Sequence, residues 1–100
     1  MTNYSSDMLS IHFIILHLFY FILFHFIRCY QYYLDKVDPR DVSILTRLGN
    51  LLVKENNQAA AVDVYSKVLN IDDTLDNVWF NKANAQMHIG DLEGQIIFIY

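Results

Sequence analysis

The sequence predicts an all-α protein in which helical hairpins follow a long apolar segment that is itself a candidate helix. Two observations support this class. A run of uncharged, mostly apolar residues fills the first third of the chain, and apolar residues recur at helical spacing over the rest. Helix-breaking residues are few, with one proline and three glycines in 100 residues, so few residues interrupt either pattern.

The uncharged run extends from Met8 to Ile27, and sixteen of its twenty residues are apolar. Twenty helical residues measure about 30 Å, which matches the hydrocarbon core of a bilayer. Basic residues lie only on its C-terminal side, and by the positive-inside tendency they would keep the rest of the chain in the cytoplasm. We therefore treat residues 1–29 as an apolar segment that contains a candidate single-pass transmembrane helix at 8–27.

Two other origins of this segment stay open. A cleavable secretory signal is disfavoured because Asp7 precedes the run, no Lys or Arg does, and no small-residue cleavage site follows. Phe, Ile, Leu, Tyr and His without charges are also what translated AT-rich noncoding DNA contains, so residues 1–29 could be a gene-model artefact. In that case the remaining residues would be cytoplasmic.

The rest of the chain repeats with a period of thirty-four residues, which divides it into a complete unit at 42–75 and a truncated unit at 76–100. The period pairs large residues with large and small with small: Leu45 with Trp79, Gly49 with Ala83, and Tyr65 with Ile99. Such self-similarity is typical of stacked helical repeats.

Each unit has the pattern of a helical hairpin. In the first unit, two apolar stripes at helical spacing flank a polar turn at 55–58. In the second, Gly90 suits the left-handed residue that ends a helix, and Asp91 can cap the next helix. The apolar residues of the second unit are Trp79, Ala83 and Met87 before that turn, and Leu92, Ile96 and Ile99 after it. We expect Tyr65 and Trp79 to lie in the core.

The segment from Trp79 to Glu93 resembles the first helix and turn of a tetratricopeptide repeat. In the first unit, six residues fall at signature positions of that family: Leu45, Leu48, Gly49, Leu52, Ala61 and Tyr65. The Asp38-Pro39 pair resembles the close of a preceding repeat, so residues 30–41 look like the tail of a degenerate one. The resemblance covers about residues 30–100 and implies a fragment of an α-solenoid built from antiparallel hairpins.

Members of this family hold peptide segments of partner proteins in a groove lined by the first helix of each repeat. The resemblance therefore implies a protein-interaction scaffold or adaptor. Its peptide-groove residues would be Asn50, Lys54, Asn77, Phe80, Asn81, Asn84, Met87 and His88. Ser43, Thr46 and Val53 share that face. Asn50 and Asn81 match two positions of the carboxylate clamp of some members, but Thr46 replaces the lysine of that clamp.

The sequence offers no catalytic, cofactor-binding or metal-binding motif, so we expect a protein that is not an enzyme and needs no cofactor. Its carboxylates are interleaved with Lys and Arg, as on solvated helical faces, and the net charge of −4 without a basic stripe argues against nucleic acid. Three histidines in the apolar run are spaced by five and eight residues, which does not align them as metal ligands. The alternative functions are a small integral membrane protein with a repeat-like cytoplasmic appendage, and a truncated gene model without independent function.

Overall fold

The computed structural model describes the backbone of residues 3–99 and the side chains of residues 7–90. These residues form four helices, and no strand occurs among them: α1 (Asn3–Lys36), α2 (Val42–Lys54), α3 (Gln58–Ile71) and α4 (Asp76–Ile99). The all-α class and the long apolar helix at the N-terminus are confirmed.

Asp41 determines where α2 begins. One of its carboxylate oxygens, Oδ1, accepts a hydrogen bond from the Ile44 amide at 3.1 Å, which satisfies an otherwise unpaired donor of the first turn. The other, Oδ2, accepts the Tyr33 hydroxyl of α1 at 3.0 Å. One side chain therefore starts α2 and ties it to the preceding helix.

The predicted turn at 55–58 is confirmed, with Gln58 as the first residue of α3. Asn56 has a φ of 65°, the left-handed conformation that asparagine tolerates better than most residues. Asn57 then caps α3, since its side-chain oxygen accepts the Ala60 amide at 3.3 Å. The short turn makes α2 and α3 antiparallel neighbours.

The core is formed where consecutive helices pack on each other. Tyr65, Val68 and Val78 are its largest fully buried side chains, and the core prediction for Tyr65 is confirmed. The cluster comprises Leu23, Ile27 and Leu34 from α1, Leu45, Leu48 and Leu52 from α2, Ala61, Val64, Tyr65, Val68 and Leu69 from α3, and Val78 from α4. Burial of these apolar side chains is the main force that holds the helices together.

Local contacts recur at the period found in the sequence. Asp38 Oδ1 accepts the Arg40 amide at 3.0 Å, and Asp72, thirty-four residues later, accepts the Thr74 amide at the same distance. The final part of α1 thus leads into α2 through the same kind of turn by which α3 leads into α4. α1 itself continues without a break across residues 29 and 30, where the sequence suggested a boundary.

The turn predicted at Gly90 and Asp91 is wrong, because α4 is helical through both residues. No described glycine has a positive φ. A continuous helix keeps each amide bonded to the carbonyl four residues earlier, and a turn replaces it only where the next helix gains tertiary contacts. The predicted stripe at Leu92, Ile96 and Ile99 lies outside the residues whose side chains are described.

The core prediction for Trp79 is also wrong. The buried side of α4, which packs on α3, contains Val78 and Ala85, each 1% exposed. Trp79, in contrast, is 46% exposed. The Trp79 indole donates a hydrogen bond to the Asp73 carbonyl at 2.9 Å, and the Lys82 ammonium lies 5.5 Å from the ring centroid. The ring faces outward because Trp79 does not lie on the side of α4 that packs on α3, where Val78 and Ala85 are buried.

The apolar N-terminal helix has two parts that differ in burial. Every side chain from residue 7 to residue 22 is exposed, and burial begins at Leu23 and recurs at Ile27 and Leu34. Among the described helices, α1 alone is long and apolar enough to cross a bilayer, a test that signal sequences and core helices also meet. The N-terminal part of α1 is therefore an exposed apolar helix, and its C-terminal part belongs to the core.

Candidate binding groove

A groove of about 620 Å³ opens between α2 and α4, and two residues of α3 contribute to it. Its lining residues are Asn50, Val53, Lys54, Gln58, Tyr65, Asn81, Asn84, Ala85 and His88. The groove exists because α3 packs on both neighbours and so places α2 and α4 side by side. Ligand sites are usually concave surfaces of about this volume.

The structure brings together five of the eight predicted groove residues: Asn50, Lys54, Asn81, Asn84 and His88. The other three, Asn77, Phe80 and Met87, do not line the groove. Phe80 and Met87 are 66% and 63% exposed. The predicted face is therefore wider than the groove.

The other four lining residues were not among those eight: Val53, which the sequence placed on the same face, and Gln58, Tyr65 and Ala85. Gln58 is the last residue of the turn that the sequence predicts, so its place at the end of the groove depends on how α3 packs. Tyr65 was predicted as core, and its ring is core, but a buried tyrosine usually directs its hydroxyl to a polar partner. This preference of a buried tyrosine hydroxyl for a polar partner is the sequence signal that could have placed Tyr65 beside the polar groove.

The Asn50 side chain joins all three helices that form the groove. Its Oδ1 accepts the Tyr65 hydroxyl of α3 at 2.6 Å and the Asn81 amide of α4 at 3.4 Å. Burial raises the pKa of the Tyr65 hydroxyl above its ordinary value, so this group remains a proton donor at neutral pH. Because the oxygen of Asn50 is engaged twice, its amide nitrogen is the group that a ligand can use.

The other end of the groove contains an acceptor without a partner. Gln58 Oε1 is a buried oxygen to which no hydrogen-bond donor of the described residues is directed. Leaving such a group unpaired costs about 1–3 kcal/mol of stability. The groove thus has a donor at Asn50, whereas Gln58 Oε1 is covered by neighbouring atoms.

The charges around the groove are of one sign. Lys54 is the only lining residue with a formal charge at neutral pH, and no lining residue is acidic. The whole chain carries a net charge of −4, so the groove is less negative than the average surface. Thr46, which stands where the clamp lysine would be, donates its hydroxyl to the Val42 carbonyl at 2.8 Å.

The described part of the chain contains no group of three His, Cys, Asp or Glu residues that could hold a metal ion. The groove therefore offers hydrogen bonds, one cation and apolar contacts from Val53 and Ala85 as its means of recognition.

No protein-family model matches the chain, and no curated protein and no solved structure matches it either.

Proposed function

We propose that this chain is a protein-interaction module of the tetratricopeptide type, which holds a peptide segment of a partner protein in the groove between α2 and α4. The observation that carries the proposal is the groove itself, an open channel of about 620 Å³ with polar groups along both walls. Three of those polar residues are asparagines on α2 and α4, placed to meet a chain that lies between the two helices.

A peptide backbone fits this groove because it carries donors and acceptors in alternation. The Asn50 amide nitrogen offers hydrogen bonds to a peptide carbonyl, and the side-chain amide of Asn84, which also lines the groove, can donate or accept. Tyr65 and Asn81 hold the Asn50 side chain in one orientation, which reduces the entropy lost when a ligand binds. The groove thus supplies partners for main-chain groups independently of the side chains of the peptide.

The charge of the groove favours a peptide that carries acidic side chains. Lys54 lies within the groove without a lining carboxylate to neutralise it, so an acidic group on the ligand gains a charged hydrogen bond there. Acidic partners are therefore expected to bind more tightly than basic ones, and the preference should weaken at high salt.

Fluorescence anisotropy of the full chain in detergent micelles tests the proposal with two pools of short labelled peptides, one rich in Asp and Glu and one rich in Lys and Arg. The variants Lys54→Ala and Asn84→Ala remove lining groups. The matched controls Lys67→Ala and Asn70→Ala remove the same residue types from exposed positions of α3 outside the groove.

We expect the acidic pool to bind and the basic pool not to bind. Lys54→Ala should weaken binding by about tenfold or more, because a hydrogen bond to a charged group is worth about 1.5–3 kcal/mol. Asn84→Ala should have a smaller effect, and the two controls none. Binding that the α3 controls reduce as much as the groove variants do would rule out this groove as the site.

The exposed part of α1 supports a second candidate, a small membrane protein whose repeats face the cytoplasm. Large apolar side chains from Met8 to Ile22 are exposed around the whole circumference of the helix. A core helix would have one covered face over this length, whereas lipid contacts all sides of a helix. Arg28 and Lys36 follow the apolar run and would lie at the cytoplasmic surface.

Flotation of the full chain with phosphatidylcholine vesicles, before and after washing with alkaline carbonate, tests this candidate. The variant Phe19→Lys introduces a charge in the middle of the exposed run, and Phe80→Lys introduces the same charge at an exposed position on α4. An inserted helix should resist the wash and lose vesicle association in Phe19→Lys only. A chain that stays in the soluble fraction would contradict membrane insertion and leave the peptide-binding proposal unaffected.

A further inference from the structure

Exposed apolar side chains outside α1 are concentrated on α4. In the described part of the chain, the large ones are Val37, Trp79, Phe80 and Met87. The Trp79 ring is engaged by its own neighbours, because its indole donates to the Asp73 carbonyl and Lys82 lies over the ring. Phe80 and Met87 are 66% and 63% exposed, so their apolar surface is open to a ligand.

Phe80, Ala83 and Met87 form an apolar strip along α4. All three are exposed, and they are separated by three and four residues, which makes them neighbours on the helix surface. Asn84 lies beside this apolar strip, four residues after Phe80 and three before Met87, and it lines the groove. The apolar strip therefore adjoins the α4 wall of the groove, and a contiguous exposed apolar patch is typical of a binding surface.

Lys54 stands on the opposite wall, at a level between the two ends of the apolar strip. The Asn81 amide donates to Asn50 Oδ1 at 3.4 Å, which shows where α4 and α2 face each other. Because α2 and α4 each pack antiparallel on α3, both run in the same direction from this contact. Lys54 follows Asn50 by four residues, or about 6 Å. On α4, Phe80 precedes Asn81 by one residue and Met87 follows it by six, or about 9 Å.

We propose that the peptide held in the groove has an acidic residue with a large apolar residue on each side of it. The acidic side chain meets Lys54, and the two apolar side chains pack on the apolar strip. This inference rests on the proposed peptide-binding function and adds the side chains that the groove selects. Successive side chains of an extended peptide point to opposite sides, so alternate residues reach the same wall. Alternate residues are about 6.6 Å apart, and long side chains can cover the interval of about 10.5 Å from Phe80 to Met87.

A peptide is favoured over a lipid as the occupant because polar groups lie directly beside the apolar strip. The side-chain amides of Asn50 and Asn84 need hydrogen-bond partners, which a peptide backbone has and an acyl chain lacks. Methionine adapts its shape to different apolar partners, so Met87 accepts large apolar side chains as a class.

Three short labelled peptides test this arrangement by fluorescence anisotropy with the full chain in detergent micelles. They differ only in their central residues, which are Leu-Asp-Leu, Leu-Leu-Asp or Ser-Asp-Ser, and all other positions are serine. Micelles without protein give the baseline for partition of each peptide into detergent. The variants Phe80→Ala and Met87→Ala truncate the apolar strip. The matched controls Tyr32→Ala and Met8→Ala remove an aromatic ring and a methionine from exposed positions of α1.

We expect the Leu-Asp-Leu peptide to bind about tenfold more tightly than the Ser-Asp-Ser peptide, because two apolar side chains leave water. The Leu-Leu-Asp peptide should bind with intermediate affinity, since its two leucines point to opposite sides. Phe80→Ala and Met87→Ala should each weaken binding of Leu-Asp-Leu by about threefold or more beyond any effect on Ser-Asp-Ser. The two α1 controls should bind all three peptides as the wild-type chain does.

Lys54→Ala separates the failure of this inference from the failure of the proposed function. Equal binding of the three peptides, each weakened by Lys54→Ala, would overturn the apolar preference and leave the groove as a site for acidic peptides. Equal binding of Leu-Asp-Leu and Leu-Leu-Asp, both tighter than Ser-Asp-Ser, would overturn the alternating arrangement. A chain that binds none of the three peptides would overturn both the inference and the proposed function.

Discussion

The ring of Tyr65 lies so close to Gly49 that a Cβ added at residue 49 would stand 2.5 Å from Cε1 and 2.8 Å from Cδ1 of the ring. The Tyr65 ring is fully buried and its hydroxyl is bonded to Asn50, so it has little freedom to move. This contact determines how closely α2 and α3 pack, and it connects the core to the groove.

Gly49→Ala should therefore destabilise the protein, although alanine is the better helix former. Forcing an extra methyl group into a packed core costs about 1–3 kcal/mol, which exceeds the gain of about 1 kcal/mol in helix propensity. Gly90→Ala is the matched control, because its methyl group would meet no atom within 4 Å. Thermal unfolding followed by circular dichroism should show a lower midpoint for Gly49→Ala only. Equal midpoints for both variants would mean that the ring can move aside.

Tyr65→Phe should lower stability and change its dependence on pH. Loss of the hydrogen bond to Asn50 costs about 0.5–1.5 kcal/mol at neutral pH. Burial raises the pKa of the Tyr65 hydroxyl above 10.0, so its contribution is fully present below pH 10 and is lost as the pH rises through the raised pKa.

The measurement for this prediction is chemical denaturation between neutral and strongly alkaline pH. The wild-type protein should lose stability above pH 10 more steeply than Tyr65→Phe does. Tyr32→Phe, at a position that is 67% exposed, should follow the wild-type curve. Parallel curves for wild type and Tyr65→Phe would show that the hydroxyl ionises equally well in the folded and unfolded chains.

Asp41→Ala should destabilise the start of α2 by about 0.5–2 kcal/mol, because it removes the acceptor of the Ile44 amide. Asp41→Asn keeps an oxygen in that place and should recover most of the loss. Tyr33→Phe removes only the hydrogen bond between α1 and Asp41, so it separates that contact from the cap. The comparison requires unfolding free energies for the three variants, and an unchanged value for Asp41→Ala would exclude a role for the cap.

Ile27→Ala and Ile14→Ala make the same substitution at two positions of α1 and should have opposite consequences. Ile27 is 5% exposed and belongs to the core, so its truncation should cost about 2–5 kcal/mol of folding free energy. Ile14 is 56% exposed, so its truncation should change stability by less than about 0.5 kcal/mol. Ile14→Ala should instead weaken vesicle binding if α1 enters lipid.

Thermal unfolding and vesicle flotation of both variants measure these effects. A stable Ile27→Ala protein would mean that the end of α1 is not part of the folded unit. That outcome would agree with an apolar segment that has no structural connection to the helices after it.

Much of the fold follows from residue spacing. The apolar stripes of α2 and α3 predict both helices, and Asn56 and Asn57 predict the turn between them, because a left-handed residue and a cap are local properties. Part of the groove follows as well, since Asn50 and Asn84 occupy equivalent positions of the repeat. Gln58 and Tyr65 could not be placed in the groove by spacing, because their position there depends on how α3 packs between its neighbours.

The sequence by itself determined the helical class, the period of thirty-four residues and the division between an uncharged first third and a charged remainder. These are properties of composition and spacing, which act on each segment separately. Only the tertiary structure decided that Ile27 joins the core, that Trp79 faces outward and that Gly90 stays within a helix. The physical reason is that residues suited to a turn or a core permit that role, and a partner surface in contact decides whether they take it.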